Sequence, residues 1–152
     1  MNYLLKRVYY FSAAHRIYKV NDIIDSIHGH NFKVTCNFKN VDPGNNIKYH
    51  TISINHEYLD QLINKIIKDK YDHCLLLGRN DPLIKILKKD KITIICKNPT
   101  LELICQTLYF KIASLKELTN KKIVLESISL SDIPGSEVSI HESKYRKYQE
   151  ER

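Results

Sequence analysis

From residue 28 to residue 39 every second position belongs to one set, His28, His30, Phe32, Val34, Cys36 and Phe38. The intervening set is Gly29, Asn31, Lys33, Thr35, Asn37 and Lys39. Successive side chains of a strand point to opposite faces, so this segment reads as a half-buried strand whose inner face opens with two imidazoles. Such a strand requires a partner and a cover. Tyr3 to Ala13, rich in Tyr, Val, Leu and Phe, reads as the partner strand, with imperfect alternation.

The cover is helical. Leu59, Leu62, Ile63, Ile66 and Ile67 recur at helical spacing behind Asn55, a good N-cap, which predicts a helix over 56–69. A second helix follows Asn98-Pro99-Thr100, with Leu101, Ile104, Cys105, Leu108, Tyr109 and Ile112 on one stripe. Between them, residues 71–77 read as a loop or extended piece, Asn80-Asp81-Pro82 starts a short helix, and 91–96 reads as a strand. Asp42-Pro43-Gly44-Asn45-Asn46 is concentrated turn chemistry, followed by a short extended run over 48–53. Residues 123–130 and 138–145 give two more strands around the turn Ile133-Pro134-Gly135-Ser136. The order ββ, helices, ββ predicts an α+β antiparallel sheet with helices on one face.

The 152 residues suit one domain, expected over 1–145, followed by a charged, solvent-facing tail over 146–152. No apolar stretch approaches the roughly 18 residues of a membrane span, and Lys6 and Arg7 interrupt any signal-peptide core, so a cytoplasmic protein is expected. Cys36, Cys74, Cys96 and Cys105 form no C-x-x-C pair, which fits a reducing compartment, and three of them fall on apolar-periodic stretches and read mainly as small buried hydrophobes. The net charge is +7, from 24 basic and 17 acidic residues, which favours anionic partners. There is no basic run, no RNA-binding signature and no zinc-finger spacing, so the lysines read as a solvated face and no nucleic-acid partner is expected.

The two histidines on one strand face could share a metal ion. His15, at the end of the neighbouring strand, is the natural third ligand for a site that keeps one position open. The competing reading is a set of hydrogen-bonded histidines at a sheet edge. Asp72-His73 suggests a carboxylate that orients an imidazole, although adjacent residues on an extended segment point apart. His50, His56 and His141 read as surface or structural.

Taken in order, Phe11-Ser12-Ala13-Ala14-His15-Arg16, Ile27-His28-Gly29-His30-Asn31-Phe32-Lys33-Val34, Tyr71-Asp72-His73 and Pro99-Thr100-Leu101-Glu102 resemble the 6-pyruvoyltetrahydropterin synthase and 6-carboxytetrahydropterin synthase family. The resemblance implies a tunnelling fold: a four-stranded antiparallel sheet with two long helices on one face, closing into barrels as trimers and stacking into homo-hexamers. It further implies one Zn2+ on His15, His28 and His30, with 7,8-dihydroneopterin triphosphate as substrate. Asp72 and His73 match the family's proton-transfer pair. Thr100 and Glu102 match its T-x-E segment near the pterin pocket, though Thr100 also suits helix capping. Asp132 stands where the family generally has a pterin-binding Glu, one methylene shorter.

Two departures bear on the product. Members that make the pyruvoyl or carboxy product carry a Cys shortly before H-G-H, and none lies between His15 and His28. Asp25 stands three residues before His28, where a glutamate marks a subtype that forms 6-hydroxymethyl-7,8-dihydropterin, a folate precursor. Asp25 is therefore the expected base, and a lyase of the folate type the expected enzyme. Cys74, beside His73, is a weaker substitute for the missing thiol, and Cys36 lies roughly 20 Å along the strand from His30. The alternatives are a 6-carboxytetrahydropterin synthase of queuosine biosynthesis, 6-pyruvoyltetrahydropterin synthase proper, or a non-catalytic pterin-binding or assembly subunit. Where the family usually has Asp-Phe this chain has Asn55-His56, a structurally neutral exchange.

Overall fold

The structure is a computed structural model that describes residues 3–20, 22–40, 54–87, 91–95, 97–133 and 135–142. The expected turn over 42–46, the extended run over 48–53, His50, Cys96, Pro134 and the tail lie outside the described residues. In chain order the elements are β1 (Leu5–His15), β2 (Tyr18–Val20), β3 (Ile23–Ile24), β4 (His28–Asn40), α1 (His56–Lys70), β5 (Cys74–Gly78), α2 (Leu83–Ile86), β6 (Ile92–Ile95), α3 (Leu101–Ala113), α4 (Lys116–Asn120), β7 (Ile123–Ile133) and β8 (Glu137–His141).

The α+β class holds, but the sheet is not a four-stranded antiparallel one. Six strands run in the order β6-β5-β1-β4-β7-β8. The pairs β1–β4, β4–β7 and β7–β8 are antiparallel, whereas β5 joins β1, and β6 joins β5, in parallel. The segment expected as loop or extended piece is thus β5. Its Leu76 and Leu77 are fully buried, and strands buried on both faces lose the alternation by which a sequence announces them.

The β4 pattern reads out as expected along most of its length. Phe32, Val34, Cys36 and Phe38 are 1% exposed or less and form the floor of the core. α1 supplies Leu59, Ile63 and Ile67 to that core, and α3 supplies Ile104, Cys105, Leu108, Tyr109 and Ile112. Asn55 caps α1 by accepting from the Tyr58 amide at 3.0 Å, and Thr100 caps α3 by accepting from the Leu103 amide at 3.4 Å. α1 is fixed to β1 through Asp60, which accepts from Arg7 Nε and from the Tyr9 hydroxyl, each at 2.9 Å. Cys36, Cys74 and Cys105 are buried thiols, as expected.

Candidate active site at the histidine end of the sheet

The ladder between β1 and β4 sets His15 directly opposite His28, and Ala13 opposite His30. Residues opposite one another in a ladder share a face, so all three imidazoles fall on the face that carries Phe32 and the core. Their ring centroids are 4.5 Å (His15 to His28), 5.1 Å (His15 to His30) and 5.0 Å (His28 to His30) apart. One nitrogen from each ring lies within 4.8 Å of the other two. Among the described residues this is the group of histidine, cysteine and acidic side chains whose spacing suits a metal ion.

The hydrogen bonds aim the rings. His15 Nδ1 lies 2.8 Å from the Pro99 carbonyl, which accepts its proton and leaves Nε2 as the lone-pair nitrogen. That Nε2 is buried and meets no hydrogen-bond partner in the protein. Burial pushes the His15 imidazole below its ordinary pKa; the Pro99 bond opposes this, while His28 and His30 add to it. A buried, neutral imidazole with an unpartnered nitrogen close to two others is a donor set that suits a divalent metal ion. His28 is oriented in the same manner, with Nδ1 3.0 Å from the Ser26 carbonyl.

Asp72 and His73 form a second constellation, and here the expectation that neighbours point apart fails. His73 adopts a left-handed backbone, φ 52°. That conformation, uncommon outside glycine, turns its Nδ1 to 3.0 Å from Asp72 Oδ1. Ser12 of β1 holds the corner in place: its amide donates to Asp72 Oδ1 at 3.0 Å and its carbonyl accepts from the His73 amide at 2.7 Å. Burial works against ionisation of Asp72, but the Ser12 amide, His73 and Lys91 outweigh it and hold the carboxyl below its usual range. His73 is 82% exposed. A cleft of about 650 Å³ is lined by Ser12, Gly29, His30, Asn31, His73 and Lys91, residues from β1, β4 and the Asp72–His73 corner among them.

The remaining expected residues are placed less uniformly. Asp25 is half-buried, and its amide donates to the Ile17 carbonyl at 3.0 Å, which closes the β2–β3 excursion between His15 and His28. Asp132 pairs with Phe32 in the ladder and shares the histidine face, and its charge reaches His15. Its Oδ1, however, accepts from the Ser136 amide, and a side chain at Gly135 would come within 2.8 Å of that oxygen. Asp132 therefore also builds the turn to β8. Thr100 caps α3, and Glu102 is exposed in its first turn. Cys74 is buried and donates to the Tyr71 carbonyl at 2.8 Å; burial raises its pKa, so the thiol stays protonated and is a poor nucleophile. His56 and His141 are exposed, and Cys36 is fully buried with its pKa raised by burial.

Two contributors went unnoticed in the sequence. Ser12 anchors the Asp72–His73 corner, and Pro99 orients His15 across 84 residues of chain. Both stand inside stretches quoted above for their neighbours, but no spacing rule joins positions so distant.

The family model for 6-pyruvoyl tetrahydropterin synthase matches residues 4–143. No curated protein sequence gives a match. Among solved structures, an uncharacterized protein from Wolinella succinogenes superposes with a TM-score of 0.70 at 14% identity, covering 93% of this chain and 99% of that one. The 6-pyruvoyl tetrahydropterin synthase of Plasmodium falciparum gives 0.66 at 17% identity, covering 93% and 98%. A Plasmodium vivax 6-pyruvoyltetrahydropterin synthase, in a form described as a catalytic-residue mutant with glutamate replaced by alanine, gives 0.60 at 17% identity, covering 91% and 98%. At these identities the superpositions speak for the fold, while the family model spans nearly the whole chain, both histidine-bearing strands included. The chain with this trio of imidazoles belongs to the 6-pyruvoyl tetrahydropterin synthase family.

Proposed function

We propose that the protein is a zinc-dependent lyase acting on 7,8-dihydroneopterin triphosphate, and that its product is 6-hydroxymethyl-7,8-dihydropterin. The family is one of lyase-type pterin enzymes. The observation that carries the zinc reading is His15: its Nδ1 is committed to the Pro99 carbonyl and its buried Nε2 has no protein partner beside His28 and His30. Zinc bound by these three nitrogens would polarise side-chain oxygens of the substrate and acidify the adjacent carbon-bound protons.

The product assignment rests on Asp25. It is the carboxylate before His28-Gly29-His30, in a stretch that has no cysteine. In the Plasmodium vivax structure a glutamate is the catalytic residue that was mutated. We assign Asp25 the role of general base, taking a proton from the substrate side chain. It is one carbon–carbon bond, about 1.5 Å, shorter than glutamate, and rates are sensitive to such misplacement. Asp72 holds His73 with Nδ1 as donor, which leaves Nε2 free to exchange protons at the cleft. Thr100, Glu102 and Asp132 are assigned to the pterin ring; Asp132 keeps one oxygen for the ring amide and amino groups while the other serves the turn.

A homo-hexamer built as two trimers is the proposed assembly. Val8, Tyr10 and Ile133 are exposed by 38%, 64% and 46%, apolar surface that subunit contacts would cover. Light scattering measures the assembly directly. No helix among the described residues is long and apolar enough to cross a membrane.

The test is to incubate zinc-loaded protein and its Asp25→Ala variant with 7,8-dihydroneopterin triphosphate and identify every pterin by chromatography and mass spectrometry. The 6-hydroxymethyl product from the parent protein, lost in the variant, is the expected result. A 6-pyruvoyl or 6-carboxy product would overturn the product assignment, and turnover unaffected in the variant would remove Asp25 from the mechanism. Unchanged substrate with both proteins would favour a pterin-binding or assembly subunit.

A further inference from the structure

A second cleft, of about 410 Å³, lies beyond the histidines and is lined by Tyr18, Lys19, Arg79, Asp81, Lys97 and Asn98, among others. Three separate stretches of chain meet there, held by specific contacts. The Tyr18 amide donates to the Asn98 side chain at 2.9 Å, and the Asn98 amide nitrogen donates back to the Tyr18 carbonyl at 3.2 Å. Gly78 closes the other wall: a side-chain carbon there would come within 1.9 Å of the Lys97 carbonyl, so only glycine lets the end of β5 approach that segment. Arg79, the next residue, lines the same cleft as Lys97.

The charge balance of the cleft is one-sided. Asp81 supplies its carboxylate, but that group is fully buried and spent: Arg16 Nε and Nη2 donate to it at 2.7 and 2.5 Å, and the Leu83 amide donates at 2.9 Å. The Arg16–Asp81 pair therefore contributes no net charge, and Lys19, Arg79 and Lys97 remain as three exposed cations around one hollow. The cleft is also registered with the histidines. His15 bonds Pro99 and Tyr18 bonds Asn98, so the two stretches that meet at the imidazoles meet again at the cleft. Three residues of chain span at most about 10 Å, which a triphosphate hung from the end of a three-carbon side chain can bridge.

We infer that this cleft is a polyphosphate subsite that takes the triphosphate arm of the substrate and holds the inorganic triphosphate once it has left. Arg79 offers a planar fork to phosphate oxygens, while Lys19 and Lys97 act as point charges. The assignment of the arm rests on the pterin reading above; the affinity for polyphosphate does not.

The experiment compares the intact protein, the Arg79→Gln/Lys97→Gln variant and a control, Lys6→Gln/Lys116→Gln, which removes two exposed cations from elsewhere. Binding of inorganic tripolyphosphate is measured by calorimetry, and steady-state kinetics are run with 7,8-dihydroneopterin triphosphate. All three proteins keep the histidines, so any sequestering of metal by tripolyphosphate is common to them. The cleft variant is expected to bind tripolyphosphate at least about tenfold more weakly, equivalent to about 1.4 kcal/mol, with a raised KM; the control is expected to match the intact protein. Equal affinity in the intact protein and the cleft variant, or an equal loss in the control, would overturn the subsite. Tripolyphosphate binding that depends on Arg79 and Lys97, in a protein that turns over no pterin, would keep the subsite and defeat the pterin reading instead.

Discussion

One pair of strands, β1 and β4, carries two different kinds of inner face. Toward one end Phe11, Phe32, Val34 and Phe38 are at most 3% exposed, Phe11 and Phe32 stacking with ring centroids 4.8 Å apart. Toward the other end the same face holds His15, His28 and His30, with His28 exposed. The first region is held by removal of apolar surface from water. The second is held by long-range polar links: His15 to Pro99, Arg16 to Asp81, Tyr18 to Asn98, and the Asp72–His73 corner to Ser12. The face turns from phenyl to imidazole within two residues, and the proposed metal site lies on the imidazole side of that change.

The contrast can be broken at several points. Phe32→Ala should cost about 3–5 kcal/mol of unfolding free energy in denaturant melts, because a buried ring leaves a cavity; a loss below about 1 kcal/mol would mean that the core does not rest on this face. Asp81→Asn should cost about 3 kcal/mol at neutral pH, since it strands a largely buried Arg16. That contribution depends on pH. Arg16 holds the Asp81 carboxyl below its usual 3.8, so the stabilisation is fully present above that value and fades as pH falls through the lower folded-state pKa. The gap between parent and variant should therefore narrow in acid, and a gap of constant size would show that the ionised pair is not its source.

Smaller effects sharpen the same contrast. Asp72→Ala should cost about 1 kcal/mol, mainly by leaving the Ser12 amide without its acceptor. It should also alter the pH profile of kcat, a readout that a purely structural corner would leave unmoved. His28→Ala should change the stability of the metal-free protein by no more than about 0.5 kcal/mol, as its side chain is exposed. Added Zn2+ should then raise the melting temperature of the parent and not of the variant. A large loss in the metal-free variant would make His28 a structural residue.

How legible these regions were follows from their physics. Strand β4 and helices α1 and α3 announce themselves because each has one buried and one wet side, and periodicity records that asymmetry. Strands β5 and β6 are short, and β5 is buried at four of its five positions, so the expected antiparallel four-stranded sheet became a mixed six-stranded one. The histidine trio was readable from H-x-H on one strand and a resembling motif on its neighbour. The Asp72–His73 contact was not, because it turns on a left-handed backbone at His73 that no residue pattern demands. The cationic cleft was unreadable for another reason: Lys19, Arg79 and Lys97 come from distant segments, joined by the Tyr18–Asn98 bonds and by the close approach that Gly78 permits.

The most direct test of the proposed metal centre is the zinc content of the purified protein, read by elemental analysis together with X-ray absorption at the zinc edge. The account predicts one zinc per chain with three nitrogen neighbours at about 2.0–2.1 Å, and loss of that zinc in His30→Ala. A protein that binds no zinc, or a His30→Ala variant that retains it with unchanged coordination, would contradict the assignment of His15, His28 and His30.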